Sequence, residues 1–477
     1  MSSKTDYVLT VGLEIHAELR TNTKMFCFCK NDTDERRPNI NICPICMGHP
    51  GTLPTINKGA VKNVLKVGVA VGGGIADFTE FDRKNYFYPD IPKGYQLSQY
   101  KYPLVKGGEL NGIKLTRVHL EEDTAKSTHD SGDYSLVDFN RAGVPLMELV
   151  TEPVIKSAEE AVNFAKELQL LLRYLGVAEA NMEKGEMRVE ANISVAPKGS
   201  KKFGTKVEVK NLNSFKSVEK AINFELNRHI EAIEGGEALI QETRGWDETK
   251  EETYSQRTKE DSHDYRYFPD PDLPKLSLSE VEDFKIDKIK SELPELPWIK
   301  RERYLKLGLK NQEAEILVGD ILVSKFFDDV LYGREKEPAF VKTATNYLLT
   351  DLGGIVKKEK IDWKDLKIKP DEFSELVGLV NGKEISSRGA KDILLIMAKD
   401  GGSPAIIAEK NNLIQKSDLA EVAKIVAKVI AENSLAVEKY KSGKVTALQF
   451  LIGQCMKESK GSANPEIVRK ELEKILS

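Results

Sequence analysis

The segment Tyr7–Leu19, YVLTVGLEIHAEL, alternates almost without fault, and no other stretch of the chain restricts the fold as tightly. Tyr7, Leu9, Val11, Leu13, Ile15, Ala17 and Leu19 occupy one parity, and Glu14, His16 and Glu18 the other, the pattern of a strand with one buried face. Same-face neighbours on a strand lie roughly 6.5 Å apart, so Glu14 and His16 can reach one divalent ion between them. A solvated face carrying a stray histidine fits the same alternation. The rest of the chain has to separate the two.

At 477 residues the chain is too long for one core, and about 100 to 200 residues per domain gives two to four domains. Hydrophobic residues make up 40% and charged residues 31%, which excludes disorder and collagen, and no apolar run approaches a membrane span. The opening MSSKTDYVLT lacks the basic and then apolar layout of a signal peptide, so a cytoplasmic protein is expected. Lys and Arg total 71 against 75 Asp and Glu, a balance that confines any nucleic-acid contact to a local patch.

Four of the five cysteines fall within residues 27–46 as Cys27-x-Cys29 and Cys43-x-x-Cys46. Such clustering in a reducing compartment points to a metal and not to disulfides. Four thiolates close a tetrahedral zinc site with no open position, so zinc there would hold a loop. The Cys-x-Cys pair is tighter than the usual spacing, and buried or redox-active thiols are the competing reading. His49 is a possible substitute ligand, and Cys455, in the apolar run LQFLIGQCM, reads as a core residue.

Further along, helical spacing over 57–70 ends at Gly72-Gly73-Gly74, and no phosphate-binding Gly-x-x-x-x-Gly-Lys-[Ser/Thr] occurs anywhere. The stretch 81–99, FDRKNYFYPDIPKGYQLSQ, reads as a packed surface turn whose Arg83, Lys84 and Lys93 could line a polar cavity. Two predicted strands, in 115–127 and 145–153, each carry a carboxylate on the apolar parity. Glu122 is in step with Val118 and Leu120, and Glu148 with Leu146 and Val150. An acid on a buried parity is costly unless it is paired or bound to a cation, so Glu122 and Glu148 join Glu14 and His16 as a magnesium set. The alternative is that these strands end early and the acids are wet.

A helix over 157–175 starts from a Ser157 cap with Glu160 in the capping-box position. The predicted hairpin of 187–195 and 205–211 aligns Arg188, Glu190, Asn192 and Ser194 on one strand and Lys206, Glu208 and Lys210 on the other. Mixed charge on adjoining strands suits a triphosphate with its metal, and a solvated outer face suits it equally. A second helix is predicted around 218–233. Beyond the prolines of LPELPW the pattern turns almost wholly helical, placing a domain boundary near residue 295. The stretch 408–477 contains helices at 419–430 and 444–456 and a mild basic excess compatible with RNA backbone contact.

VGLEIHAEL, FDRKNYFYPD, HLEEDTAKSTH, DFNRAGVPLMELVTEP, FGTKVEVKNLNSF, DYRYFPDPDLP and GQCMKESKGSANPEIV together resemble the GatB/GatE family of tRNA-dependent amidotransferase subunits. The motifs are long and spread over the whole chain, and there is no room for the extra domain found in GatE proteins. The resemblance implies an α+β chain: an antiparallel-sheet cradle domain (1–295) related to glutamine synthetase and guanido kinases, then two small all-α domains, 296–407 and a tRNA-binding tail at 408–477. It implies ATP-dependent phosphorylation of the side-chain carboxylate of Glu-tRNA(Gln) or Asp-tRNA(Asn), followed by amidation. The ammonia would come from the glutaminase subunit GatA, in a complex with GatC. This chain shows neither an amidase motif nor a cysteine placed as a glutaminase nucleophile.

By that resemblance Glu14, His16, Glu122 and Glu148 are assigned to Mg²⁺, and Lys84 and Lys93, beside Glu122, to the end of the ammonia path. Extending the hairpin pattern assigns Arg188, Glu190, Lys206, Glu208 and Lys210 to ATP. The zinc assignment of Cys27, Cys29, Cys43 and Cys46 rests on spacing more than on kinship. A non-catalytic tRNA-binding scaffold subunit and a stand-alone carboxylate-amine ligase are the alternatives.

Overall fold

Strand β1 (Tyr7–Glu18) runs through the middle of a ten-stranded sheet, hydrogen-bonded to a neighbour along each edge. The computed structural model describes residues 6–128, 132–258, 265–415, 419–459, 463 and 465–476. Residues 261–264 of the tyrosine-rich stretch and 460–462 and 464 of the C-terminal motif lie outside that description, as does His129 of HLEEDTAKSTH. The chain divides into two compact units, Met1–Pro297 and Trp298–Ser477.

In the first unit the strands that matter are β2 (Asp82–Asn85), β3 (Tyr95–Ser98), β4 (Ile113–Glu122), β5 (Pro145–Thr151), β6 (Met187–Pro197), β7 (Val207–Leu212), β8 (Glu242–Asp247) and β9 (Glu252–Thr258). The large sheet runs β9-β8-β7-β6-β1-β5-β4 and ends in short strands at Val105–Lys106 and Gly74–Ile75. Among the described pairings all are antiparallel except β7 with β8, which are parallel because the helix between them returns the chain to the same end. The sheet is therefore mixed, and not the purely antiparallel one expected.

Val11, Leu13, Ile15 and Ala17 are fully buried on the apolar parity of β1. At about 1.5–3 kcal/mol for each large aliphatic side chain, this row fixes which face of the strand turns inward. Helices α1 (Lys58–Ala70), α2 (Ala158–Tyr174) and α3 (Phe215–Gly235) are the longest of the unit, with α3 packed on β6, β7 and β9, α2 beside it, and a short helix at Ile286–Glu292 packed on α1. Each starts at a side-chain cap, Asn57, Ser157 and Ser214 respectively. Glu160 departs from the expected capping box, since its carboxylate accepts from the Lys156 backbone N–H, one residue before the cap.

The 81–99 stretch is not a simple surface turn. It folds into the antiparallel pair β2–β3, and β2 also pairs with the remote Phe268–Pro269. The second unit is helical, from Pro297–Lys306 to Pro465–Leu476. Its C-terminal part has its own core, in which Val426, Leu451, Cys455, Val468 and Leu472 are fully buried.

Candidate active site

Cross-strand register brings the polar parity of β1 opposite equally polar rows. His16 faces Arg188 on β6 and Glu148 on β5, Glu148 faces His119 on β4, and Glu14 faces Glu190. The result is a half-buried acidic cluster around one imidazole. His16 Nε2 lies 3.4 Å from Glu148 Oε2, 3.5 Å from Glu121 Oε1 and 3.9 Å from Glu14 Oε1. Ligand atoms of His16, Glu121 and Glu148 lie within 4.8 Å of one another, as do those of Glu14, His16 and Glu190.

Electrostatics shows how crowded the negative charge is. Burial first, then Glu148 and Glu190, push the Glu14 carboxyl up to about 7. Burial opposes a charged His16, but its hydrogen bond to Glu148 and the field of Glu148 and Glu121 raise it to about 9. Glu148 is held below the usual carboxylate range, against burial, by His119, His16 and Arg117, the last at 3.3 Å. Glu121 Oε2 is buried with no hydrogen-bond partner among the described residues. Clustered carboxylates, one imidazole and an orphaned carboxylate oxygen suit a hard dication such as Mg²⁺.

Lys84, on β2, faces this cluster. Burial would lower its amine, yet the field of Glu121 outweighs that and holds the ammonium well above the ordinary lysine range. Its amine also stands 5.1 Å from the Tyr265 ring and 5.9 Å from that of Tyr86.

Three of the four residues assigned to magnesium meet here, and Glu122 does not. Adjacent residues of a strand point to opposite faces, so Glu122 leaves β4 on the far side from Glu121. Its Oε1 accepts from the Leu97 backbone N–H at 2.9 Å and pairs with the Lys93 ammonium. Lys93 thus pairs with Glu122, whereas Lys84 sides with Glu121. On β4 the acid on the apolar parity therefore lies away from the His16 cluster. The row that continues the face of Glu14 and His16 is Arg117, His119 and Glu121, brought there by the register of β4 on β5.

Of the residues assigned to the nucleotide, Glu190 belongs to the acidic cluster itself and pairs with Lys210 at 2.7 Å. Lys210 also approaches Glu208 at 3.7 Å, and Glu208 accepts from the Thr243 hydroxyl at 2.9 Å. Arg188 donates to Asp123 Oδ1 at 3.0 Å. Lys206 is exposed and immediately precedes β7. Glu18, which carried no expected role, stands beside Asp123. Burial and then Asp123 push its carboxyl up to about 8.

Cys27, Cys29, Cys43 and Cys46 form a second group whose sulfurs lie within 4.8 Å of one another. A hydrogen bond from Cys27 and, against burial, the fully buried Lys24 bring the Cys46 thiol down to about 5. Lys24 Nζ is 4.0 Å from Cys46 Sγ and donates to the Phe139 carbonyl at 3.1 Å. Four converging thiols with a buried cation beside them suit zinc.

Two family profiles match the sequence: the GatB/GatE catalytic domain over residues 9–282 and the GatB domain over 325–476. A protein of Crocosphaera subtropica, named as the B subunit of aspartyl/glutamyl-tRNA(Asn/Gln) amidotransferase, is 43% identical, covering 99% of this chain and 98% of that protein. Its namesake in Caldicellulosiruptor saccharolyticus is 44% identical over 98% of this chain and 100% of its own length. The one in Persephonella marina is 43% identical over 98% of both. With matches across almost its full length, the chain belongs to the GatB/GatE family.

Proposed function

We propose that this chain is the catalytic subunit of a tRNA-dependent amidotransferase, acting on Glu-tRNA(Gln), Asp-tRNA(Asn) or both. The names of its relatives support the reaction class, and the His16 cluster with Lys84 beside it supports the chemistry. The substrate carboxylate oxygen attacks the γ-phosphorus of ATP and ADP leaves. Ammonia nitrogen then attacks the acyl carbon, phosphate departs, and the nitrogen gives up a proton. Both steps gather negative oxygens, so stabilisation and alignment are what the protein has to supply.

Here His16, Glu121 and Glu148 would hold Mg²⁺, with Glu14 and Glu190 beside the same imidazole, and the ion when bound would neutralise phosphate charge. Lys84 keeps its charge at neutral pH and faces the same space from β2. Arg188, Glu208 and Lys210 border it on the nucleotide side, with Lys206 beyond them. Lys93 and Glu122 line the arrival point of ammonia, which GatA generates in a complex with GatC. The first unit serves as a cradle of the glutamine synthetase and guanido kinase type. The helical segments 296–407 and 408–477 contact tRNA, and zinc at the cysteines is structural.

ATP-dependent amide formation on Glu-tRNA, measured with ammonium and with the partner subunits present, tests this reading. Glu148→Gln is expected to lower the rate by about a hundredfold or more. Undiminished activity in that variant, or amidation of free glutamate at a comparable rate, would overturn it.

A further inference from the structure

The cysteine loop packs directly against Lys93. A cavity of about 200 Å³ is lined by Cys27, Cys46, Gly48, Lys93, Tyr95 and Glu122 among others. Gly48, two residues after Cys46, has φ +68°, and a Cβ there would stand 2.6 Å from Lys93 Cγ and 3.1 Å from its Cα. The ring of Phe26, the residue before Cys27, faces the Lys93 ammonium at 5.7 Å, and Tyr95 faces it at 5.5 Å. Behind the pair, a Cβ on Gly143 would touch Lys24, Cys46 and Glu122 at 3.6, 3.7 and 3.8 Å. Both halves of the cysteine group therefore wall the Lys93–Glu122 ion pair, one through Phe26 and the other through Gly48.

We propose that the metal-bound cysteine loop is the positioning element that seats the Lys93 ammonium on Glu122. Neither Phe26 nor Gly48 belongs to a regular strand or helix: Phe26 accepts at its carbonyl from the Thr55 N–H and Gly48 donates its N–H to the Ile45 carbonyl, so each is held within its own segment and the four sulfurs are where the two segments meet. Tying the four sulfurs to one ion fixes Phe26 and Gly48 relative to each other and leaves Lys93 one place to go. Releasing the ion frees both walls, and the lysine gains rotamers that its side-chain entropy favours.

The direct test is competitive acetylation of the purified chain with limiting acetic anhydride, read by mass spectrometry at Lys93 against the exposed Lys306. Zinc content is measured on the same samples. Lys93 in the zinc-loaded protein is expected to react far more slowly than Lys306. After zinc removal, or in Cys43→Ser, it should approach the Lys306 rate while far-UV circular dichroism is unchanged. Gly48→Ala covers the case in which zinc loss unfolds the protein, because it should keep its zinc and still expose Lys93. Protection of Lys93 in metal-free protein that remains folded, or in zinc-loaded Gly48→Ala, would overturn the proposal.

A kinetic arm rests on the ammonia reading under Proposed function: Gly48→Ala should raise the KM for ammonium about tenfold with a smaller change in kcat. Acetylation proceeds without any reaction of the enzyme. Failure of the amidation reading therefore leaves the acetylation arm standing, and failure of the positioning reading shows in the acetylation arm whatever the kinetics.

Discussion

Glu121 and Glu122 are chain neighbours with opposite assignments, and the difference is one step of strand parity. Glu14, His16 and Glu148 are legible because their own segments show them. Glu121 is not, since its significance comes from β4 standing beside β5 in a register no local pattern reveals. Lys24 is equally hidden: a lysine in a loop gives no sign that it will be fully buried against a thiol. Its charge offsets that of the thiolates, so Lys24→Met is expected to weaken zinc binding about tenfold, with Lys24→Arg nearer wild type. Competition with a chromophoric chelator measures both. Equal affinity in Lys24→Met and wild type would remove this role.

Among the elements, β1 is the most legible, because strict alternation over its full length leaves one choice of buried face. Leu13→Ala should cost about 2–5 kcal/mol in urea unfolding, as expected for a fully buried leucine at the middle of the sheet. The β2–β3 pair reads wrongly as a turn because its prolines and aromatics mimic a loop, and the Phe268–Pro269 partner is remote. The parallel entry of β8 is unreadable too, as ETRGWD has no alternation to show it. What anchors α3 to β8 and β9 is the buried Glu225, which accepts from Thr253 Oγ1 on β9 at 2.5 Å and lies 3.3 Å from Arg244 Nε on β8, while Arg228 at 2.7 Å and His229 at 3.1 Å flank it from α3 itself. Burial opposes its charge, but the neighbouring His229 and hydrogen bonds from Arg228 and Thr253 bring it down from 4.5 to about 2. A depressed carboxylate contributes stability that is full above its unfolded value and lost as pH falls through the folded one. Wild type should therefore lose stability relative to Glu225→Gln as pH falls from 4.5 towards 2, and the variant should be less stable by about 3–5 kcal/mol at neutral pH. Parallel stability–pH curves would show that Glu225 is not responsible.

For the molecule as a whole, every proposed metal ligand lies within Met1–Pro297, although the ligands come from strands far apart in sequence. The change from strands to helices near residue 295 is readable from periodicity, while the order of strands in the sheet is not. That order is set by crossovers that bring β1 between β5 and β6. Residues 1–297 expressed alone should bind about one zinc, and 298–477 none. The central claim is that the catalytic metal is held on the polar face of the sheet by His16, Glu121 and Glu148. Mn²⁺ binding to the full chain, followed by electron paramagnetic resonance in wild type, Glu121→Gln and Glu122→Gln, tests it most directly. Glu121→Gln should lose affinity by about tenfold or more while Glu122→Gln binds like wild type, and the reverse order would contradict the assignment.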